Sequence, residues 1–473
     1  MRFRCGLVML GLWAAGMAPA GAQGPEARDP HLERMSLEQK VGQLFMIAID
    51  SEIAAHYEPE IRAGRIGGAV LRWDRFTGEE AMRFSLMIQE WAIPGAAGAP
   101  FLIAADHEGG PFFTQRLYGG AVFPGNMALG AAGSTALTEE AAYITARELR
   151  ALGIHMDFAP DLDINSNPDN PIIGVRSYGE TAEQAAEHGL AALRGYRRGG
   201  ILSVVKHFPG HGDTGVDSHL GLPVIRRSLA ELQGLELAPF RAAVKAGADA
   251  VMPAHIVFSA LGSTRPVTLS SAAIEGLLRG DMGFDGVVVS DSLDMGAIAN
   301  TYSTPEAAVL ALEAGCDILL VGKGDYPGAY ERVLAAVKNG RVSLDRLERS
   351  VARILRVKER FYSRGLAGTS SVPMSEVGSA AHLAAAWRVA ERSVTLLRDS
   401  AHILPLKLAE DKLLFVALAR SPRFKDEADG FVRELTLRHT MTNSLQLPVA
   451  PDAAAIADAV EKAKNADVIV AGT

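Results

Sequence analysis

The sequence is poor in cysteine, with only Cys5 and Cys316 among 473 residues. A short basic start, an apolar stretch over residues 7–18 and small residues at 20–22 form the pattern of an export signal with its cleavage site. Removal of residues 1–22 leaves Cys316 alone, which excludes an internal disulfide and predicts stabilisation by apolar burial. We therefore expect an exported chain, periplasmic or secreted.

Long apolar runs and clusters of basic residues are also missing. The stretch 7–18 is shorter than the roughly 20 residues that a bilayer requires, so no membrane span is expected in the mature chain. The net charge of −8 and the absence of a Lys/Arg run argue against a nucleic-acid partner. The sequence identifies no protein partner, and we expect a neutral or weakly charged substrate.

Short apolar runs alternate with amphipathic stretches over most of the chain. Eight such runs can be counted: 41–49, 68–73, 101–105, 154–159, 201–205, 248–253, 286–290 and 317–321. Helical spacing of apolar residues fills the intervals, for example over 139–152 and 182–196. Eight parallel strands with crossover helices predict a (β/α)8 TIM-like barrel over residues 30–365.

Ionisable residues follow most of the predicted strands. From the third strand onward they are Asp106, Asp161, Lys206, His255, Asp291 and Lys323. Barrel enzymes gather their chemistry at the carboxyl ends of the strands, whereas turn and cap residues would scatter along the chain. The pattern predicts a functional site at this end of the barrel.

The densest polar stretch is 206–219, KHFPGHGDTGVDSH, directly after the fifth predicted strand. It allows a solvated loop, a metal site or acid/base chemistry. The metal ligands would be His207, His211, His219 and Asp213. Pro209 interrupts the helix that would bring two of these histidines together, which disfavours a metal. Asp217 and His219 alternate around Ser218, so the carboxylate can orient the imidazole.

Residues 206–223, KHFPGHGDTGVDSHLGLP, resemble the signature of the β-N-acetylglucosaminidases of glycoside hydrolase family 3. The resemblance implies that Asp217 and His219 form an acid/base pair. It also implies that Lys206 and His207 bind sugar hydroxyl groups.

The run 286–295, GVVVSDSLDM, places Asp291 at the end of a strand rich in β-branched residues. A helix N-cap is the alternative role, but that role fits Ser292 or Asp294 better because Asp291 ends the strand itself. The run resembles the Ser-Asp-x-Leu segment of the same family. That resemblance implies a nucleophilic role for Asp291 and gives Asp294 none.

Further residues match family positions near the substrate. Asp106 in AADHEGG can accept hydrogen bonds from hydroxyl groups, and Arg176 in NPIIGVRSYGE can donate hydrogen bonds to them. Each residue could instead form a salt bridge between loops. His255 could lie near the sugar or pack beneath the loop. Glu108 is expected to order its turn by accepting backbone N–H groups. The segment after Gly110 departs from the family pattern, and Arg116 is expected to take the place of the family's arginine.

The C-terminal part resembles the start of the family's α/β-sandwich second domain. We predict a helix over 342–362 closing the barrel, a linker over 366–379 and a second domain over 380–473 that looks truncated. Within that domain, strands are predicted at 413–418 and 468–471, with a helix at 453–464.

The resemblance implies a retaining exo-glycosidase that removes terminal β-linked N-acetylglucosamine, and together with the export signal it suggests peptidoglycan fragments or chitooligosaccharides as substrates, with no cofactor and no metal. Asp291, His219 and Asp217 are the predicted catalytic residues, and the carbohydrate is the predicted partner. A family 3 β-glucosidase, an N-acetylglucosaminide phosphorylase, a metal-dependent hydrolase and a non-catalytic cell-wall glycan-binding module are the alternatives.

Overall fold

The structure is a computed structural model. It describes residues 30–71, 77–93, 98–110, 119–362, 372–400, 402–405, 409, 412–420, 425–448 and 450–472. The predicted export signal, Trp73, Arg116 and the first part of the predicted linker lie outside these residues.

Eight parallel strands form the central sheet, and the (β/α)8 barrel prediction is confirmed. The strands are β1 Phe45–Ile49, β2 Gly68–Leu71, β3 Leu102–Ala105, β4 Met156–Asp157, β5 Leu202–Phe208, β6 Ala250–Pro253, β7 Val287–Val288 and β8 Leu319–Val321. Each pairs with the next along the chain, and β1 pairs with β8. A parallel bridge between Val289 and Ile318 joins β7 to β8 and closes the ring.

Helices surround this sheet. They are α1 Pro30–Arg34, α2 Leu37–Gln43, α3 Ala54–Arg62, α4 Gly78–Ala92, α5 Asn126–Ala131, α6 Thr135–Ala151, α7 Ala182–Gly199, α8 Leu229–Gly234, α9 Leu237–Lys245, α10 Gly296–Ala299, α11 Thr304–Ala314, α12 Tyr326–Lys338 and α13 Leu344–Tyr362. A π-helix spans Ala272–Asp281, and short 3-10 turns span Gly174–Arg176, Ser259–Leu261, Val267–Leu269 and Met374–Glu376. None of the helices in the described ranges is long and apolar enough to cross a membrane.

Small residues let neighbouring helices approach closely. A Cβ atom on Gly195 of α7 would lie 2.3 Å from the carbonyl oxygen of Glu139 in α6. A Cβ on Gly199 would lie 2.3 Å from the Cβ of Ala146. Because backbone cannot yield as a flexible side chain can, these glycines set the distance between α6 and α7. The two helices precede β4 and β5, which carry much of the site.

The predicted strand bounds differ from the observed ones by up to four residues at an end, and the largest differences are in the first and fifth strands. Residues 41–43 belong to α2, where Ser36 and Gln39 form a capping box at its start. Strand β5 continues through Phe208, so Lys206 and His207 lie on the strand itself. All its residues are buried, and the polar side chains are accommodated there because they have charged partners.

Beyond the barrel, α14 Ala380–Ser393 packs on the barrel core through Ala385, Ala386 and Val389. Glu148 of α6 accepts hydrogen bonds from Gly378 N and His382 Nδ1, which fixes the segment leading into this helix. The predicted start of the second domain at residue 380 stays a prediction.

The C-terminal residues form a parallel three-stranded sheet in the order β10-β9-β11. Its elements are β9 Leu414–Arg420, α15 Lys425–Arg438, β10 Thr442–Pro448, α16 Ala453–Ala463 and β11 Val468–Gly472. The predicted strands and helix correspond to β9, β11 and α16. Helix α15 and strand β10 are additional to the predicted elements.

Candidate active site

Glu108 lies at the centre of a buried charge cluster at the carboxyl ends of the strands. Its Oε2 accepts from Arg176 Nε and its Oε1 from Arg176 Nη2, both at 2.8 Å. Lys206 Nζ lies 2.6 Å from Glu108 Oε1 and 3.1 Å from Asp106 Oδ1. The prediction that Glu108 accepts backbone N–H groups is therefore wrong, because two side-chain cations occupy its carboxylate.

This cluster fixes the charge state of its members. Burial opposes ionisation of Glu108, but the charges of Arg176 and Lys206 outweigh it and lower the pKa of this carboxyl to about 2. Burial likewise disfavours the charged form of Lys206, yet Glu108 and Asp106 raise its pKa above the ordinary value. The site thus holds two cations at neutral pH, and the Asp106 side chain, 35% exposed, forms its open edge.

Asp163, in the loop after β4, holds the end of β5. Its Oδ2 lies 2.6 Å from His207 Nδ1, and its Oδ1 accepts from the backbone nitrogens of His207 and His211 at 3.3 and 2.6 Å. Burial opposes the charge, but His207 lowers the pKa of Asp163 below its usual range. The other ring nitrogen of His207, Nε2, lies 3.3 Å from Arg176 Nη2. Asp163 thus holds His207 in a position where its ring lies beside the guanidinium of Arg176.

The metal-ligand set considered from the sequence is engaged elsewhere. His211 contacts the hydroxyl groups of Thr214 and Ser218 through Nδ1 and Nε2, at 2.9 and 3.0 Å. Asp213 accepts from Arg227 Nε at 2.7 Å. Both ring nitrogens of His211 and one carboxylate oxygen of Asp213 thus already have protein partners.

Another group of potential ligands is present among the described residues. Ligand atoms of Asp161, Asp163 and His207 lie within 4.8 Å of one another. Arg176 Nη2 is 3.5 Å from Asp161 Oδ2, so a guanidinium already lies beside this group. A divalent cation would meet a fixed positive charge at that position, which makes the group unsuited to a metal.

Asp217 and His219 form a pair on the loop after β5. Asp217 Oδ1 lies 2.8 Å from His219 Nδ1 and accepts from the His219 backbone nitrogen at 2.8 Å. Burial opposes the charge of Asp217, but both hydrogen bonds from His219 lower its pKa. The imidazole is 42% exposed and the carboxylate 24% exposed. The Asp217 carboxylate therefore fixes the orientation of the imidazole ring.

Asp291 ends the seventh strand region, and its Oδ1 accepts from Ser292 N at 2.7 Å. Burial opposes its ionisation, but His255 and His207 lower the pKa of Asp291 below the usual aspartate value. His255 packs beneath the loop, with Nδ1 2.8 Å from Thr268 Oγ1 and Nε2 2.9 Å from Ser292 O. His255 thus packs under this loop as one of the two expectations had it, and its place relative to the sugar stays a prediction.

Asp294 stabilises the loop that follows Asp291. It accepts from Ser292 Oγ at 2.5 Å and from Lys323 N at 2.8 Å. Oδ1 thus holds the loop after β7 to itself, and Oδ2 joins that loop to the loop after β8. This structural role is compatible with the expectation that Asp294 has no catalytic one.

Apart from Asp291, the predicted site residues fall into two groups. Asp106, Lys206, Arg176 and His207 are linked directly or through Glu108, whereas Asp217 and His219 form a separate pair on the rim. Charge interactions connect the groups: burial lowers the pKa of His255, and His207 and His219 lower it further while Asp291 raises it. Asp161 was predicted only as one of the ionisable residues that follow the strands, and Asp163 was not predicted, although it lies two residues further along the same loop.

The arrangement defines a (β/α)8-barrel site with an ionised carboxylate, a carboxylate-oriented imidazole and fixed cations. Residues 36–357 match the glycosyl hydrolase family 3 N-terminal domain. The chain belongs to glycoside hydrolase family 3.

Known relatives extend the similarity beyond the barrel. The chain is 31% identical to Beta-hexosaminidase A of Pseudoalteromonas piscicida over 455 residues, which covers 89% of this chain and 72% of the relative. It is 33% identical to the Beta-N-acetylglucosaminidase/beta-glucosidase of Cellulomonas fimi over 390 residues, covering 79% and 67%. A solved family 3 β-N-acetylglucosaminidase from Paenibacillus sp. superposes with a TM-score of 0.84 at 40% identity, covering 92% of this chain and 84% of that one.

Proposed function

We propose that the chain is a retaining exo-β-N-acetylglucosaminidase that removes terminal β-linked N-acetylglucosamine. In this proposal Asp291 is the nucleophile, and His219, oriented by Asp217, is the acid and base. The observation that carries it is the 2.8 Å contact between His219 Nδ1 and Asp217 Oδ1, in a chain whose Asp291 has a lowered pKa.

In the first step a carboxylate oxygen of Asp291 attacks the anomeric carbon. The bond from that carbon to the glycosidic oxygen breaks, and His219 Nε2 donates its proton to the leaving oxygen. The lowered pKa of Asp291 suits this role because only the ionised carboxylate is nucleophilic. The product of the step is a glycosyl ester on Asp291 and a released alcohol.

In the second step water attacks the same carbon while neutral His219 accepts a proton from it. The bond to Asp291 breaks, the carboxylate is regenerated, and the sugar leaves with retained configuration. The Asp217 carboxylate stabilises the ring in one orientation through both steps, which supports alternating donation and acceptance of the proton at Nε2.

The buried cluster is proposed to bind the sugar hydroxyl groups. Lys206 and Arg176 donate in fixed directions because Glu108 holds both cations. Asp106 is 35% exposed and can accept from two hydroxyls, and His207 is fixed by Asp163. Pre-oriented donors and acceptors of this kind lower the cost of ordering the site when the sugar binds.

We propose muropeptide fragments of peptidoglycan, or chitooligosaccharides, as the substrates. Both carry terminal β-linked N-acetylglucosamine, and the names of the Pseudoalteromonas and Paenibacillus relatives refer to N-acetylated hexosamine substrates or to hexosaminides. Export to the periplasm or the medium, proposed from residues 1–22, would bring the enzyme to such glycans. N-terminal sequencing of the mature protein would test the export, with Gln23 as the expected first residue.

A β-glucosidase activity is the second candidate. The Cellulomonas relative is named for both activities, and the cluster around Glu108 is proposed to bind hydroxyl groups, which both kinds of sugar carry. An enzyme with little contact to the acetamido group would hydrolyse both substrates.

The test compares hydrolysis of aryl β-N-acetylglucosaminide and aryl β-glucoside by the mature parent chain, with and without phosphate. The proposal predicts preference for the N-acetylated substrate and N-acetylglucosamine as product in both buffers. A glycosyl phosphate product would indicate a phosphorylase, and no turnover by a folded protein would favour a glycan-binding module. Asp291→Asn should lose nearly all activity, while Asp169→Asn, at an exposed carboxylate after β4, should keep it.

A further inference from the structure

We propose that Gly296 and Asn300 are positioning residues that hold the acid/base pair at a fixed place relative to the nucleophile. This inference rests on the proposed function, since it concerns the placement of Asp217 and His219. It assigns a role to the segment directly after the nucleophile loop, which the proposed mechanism leaves unused.

Three consecutive carbonyl groups of the acid/base loop accept hydrogen bonds from this segment. Ser218 O accepts from Ala297 N and His219 O from Gly296 N, each at 3.1 Å. Leu220 O accepts from the Asn300 side chain, Nδ2, at 3.1 Å. The backbone on which the imidazole is mounted is thus attached to the residues that follow Asp291.

Gly296 permits this contact because it has no Cβ atom. A Cβ at this position would lie 2.6 Å from His219 O and 2.9 Å from Leu220 O. Contacts this short do not occur with backbone atoms, so any larger residue must move the loop. Gly296 has no left-handed backbone conformation, and its replacement would act through this contact rather than through strain at its own φ.

The nucleophile side of the contact is rigidly attached to the barrel. Leu293 N donates to Leu320 O of β8 at 3.0 Å, and Asp294 accepts from Lys323 N at 2.8 Å. The segment from Asp291 to Gly296 is therefore held to β8 and to the loop that follows β8. A loop attached to Gly296 takes its position from the same framework as the nucleophile.

The acid/base loop is also held at its start and its end. Gly212 packs against the loop after β4, since a Cβ there would lie 1.6 Å from Ile164 O. At the other end, Val224–Ile225 pairs with Val257–Phe258 as a short parallel ribbon. Between these anchors the pair is partly exposed, at 42% for His219. Attachment to Gly296 and Asn300 holds this exposed part.

Loss of the attachment should affect proton donation most. A displacement of about 1 Å in a catalytic group can reduce the rate by about 10²-fold. An unactivated disaccharide needs the proton from His219, whereas an aryl glycoside with a strongly acidic phenol leaves without one. The loss of activity caused by a positioning defect therefore depends on the leaving group, whereas the loss caused by unfolding is the same for both substrates.

The experiment measures kcat/KM of the full chain and its variants for N,N′-diacetylchitobiose and for 2,4-dinitrophenyl β-N-acetylglucosaminide. The variants are Gly296→Ala and Asn300→Asp, with His219→Ala as reference. Asn300→Asp removes the donor and places a carboxylate beside the Leu220 carbonyl. Each should lower kcat/KM for the disaccharide by about 10-fold or more, with the aryl substrate within about 3-fold of the parent.

Matched controls carry the same substitutions away from the loop. Gly234→Ala alters a helical glycine whose Cβ would meet nothing within 4 Å. Asn339→Asp alters an exposed asparagine at the end of α12. Both should match the parent on both substrates, and thermal unfolding should show that all variants are folded.

The outcomes separate this inference from the proposed function. If His219→Ala is selectively impaired on the disaccharide and Gly296→Ala and Asn300→Asp share that pattern, the positioning role is supported. Variants that match the parent, or that lose both substrates equally while His219→Ala stays selective, would overturn the positioning role alone. A His219→Ala variant with no selectivity would overturn the acid/base assignment, and the positioning role with it.

Discussion

Glu108 and Arg176, 68 residues apart in the chain, form a bidentate ion pair with both hydrogen bonds at 2.8 Å. Both side chains are almost completely buried, at 2% and 6% exposure, and Lys206 shares the same carboxylate. One anion thus serves two cations that point toward the proposed sugar site. Glu108 therefore orients both cations, although no step of the proposed chemistry uses it.

Glu108→Gln should destabilise the barrel. The amide would leave two buried cations without a counter-charge, and removal of one partner from a buried ion pair costs about 3–5 kcal/mol of unfolding free energy. Chemical denaturation of parent and variant measures the difference. Affinity for the sugar should fall as well, since Arg176 and Lys206 lose their fixed directions.

Glu139→Gln is the matched control. Glu139 also pairs with two cations, Arg194 and Arg198, but these arginine side chains are 54% and 59% exposed. Exposed pairs contribute about 1 kcal/mol or less. Equal losses in Glu108→Gln and Glu139→Gln would contradict the importance assigned to burial.

The carboxylate of Glu108 also predicts that the stability of the protein depends on pH in the acid range. Burial alone would raise the pKa of Glu108, but the charges of Arg176 and Lys206 outweigh burial and lower this pKa from 4.5 to about 2. Its contribution to stability is therefore present above pH 4.5 and is lost as the pH falls through about 2. Unfolding measured from pH 5 to 2 should show a steeper loss in the parent than in Glu108→Gln, and parallel curves would disagree with this pKa.

Lys358 is buried at the opposite end of the barrel. Its Nζ donates to Gln43 Oε1 and Gly67 O, both at 2.7 Å. Burial lowers the pKa of Lys358 from 10.5 to about 7. The unfolded chain binds this proton up to about pH 10 while the folded chain releases it near 7, so stability should rise with pH across that window.

Lys358→Met should remove that dependence. The unfolding free energy of the parent should gain up to about 4 kcal/mol more than that of Lys358→Met between pH 7 and 10. Methionine also leaves Gln43 and Gly67 without their donor, so the variant should be less stable at pH 10. Identical pH slopes for the two proteins would show that the ammonium group stays charged in the folded state.

Asp217→Asn should impair proton transfer while leaving the fold intact. Its amide oxygen can still accept from His219 Nδ1, but the charge that stabilises the protonated ring is lost. We expect kcat/KM for the disaccharide to fall by about 10²–10⁴-fold, the usual contribution of general acid–base catalysis. Steady-state kinetics on the disaccharide and on an activated aryl glycoside measure the effect, which should be smaller on the aryl substrate.

Asp213→Asn provides the comparison for that variant. Asp213 lies on the same loop and is 27% exposed, close to the 24% of Asp217, but its partner is Arg227. It should lose little activity on either substrate. A loss as large as that of Asp217→Asn would point to a general requirement for loop structure.

The strands were predictable because a parallel barrel buries both faces of each strand, which produces continuous apolar runs. The extension of β5 through Lys206 and His207 was not predictable, because polar residues do not indicate a buried strand until their partners are known. About half of strand β10, TNSLQLP, is polar, and its apolar residues do not alternate regularly. Only its pairing with β9 identifies it as a strand.

In the site, local patterns identified residues whose partners are close in the chain. Asp217 and His219 are two positions apart, and their contact follows from the spacing. Glu108 was misassigned because its neighbours Gly109 and Gly110 suggested a turn, whereas its partners come from other strand ends. The contact of Gly296 with His219 likewise depends on the closure of the barrel, which no local pattern contains.

The most direct test of the mechanism is to trap the glycosyl-enzyme. Incubation with 5-fluoro-β-N-acetylglucosaminyl fluoride, which slows hydrolysis of the intermediate, should add one sugar to the intact protein by mass spectrometry. Peptide mapping should locate that sugar on Asp291, and Asp291→Asn should form no adduct. An adduct on a different carboxylate, or turnover of a disaccharide with inverted configuration, would contradict Asp291 as the nucleophile of a retaining enzyme.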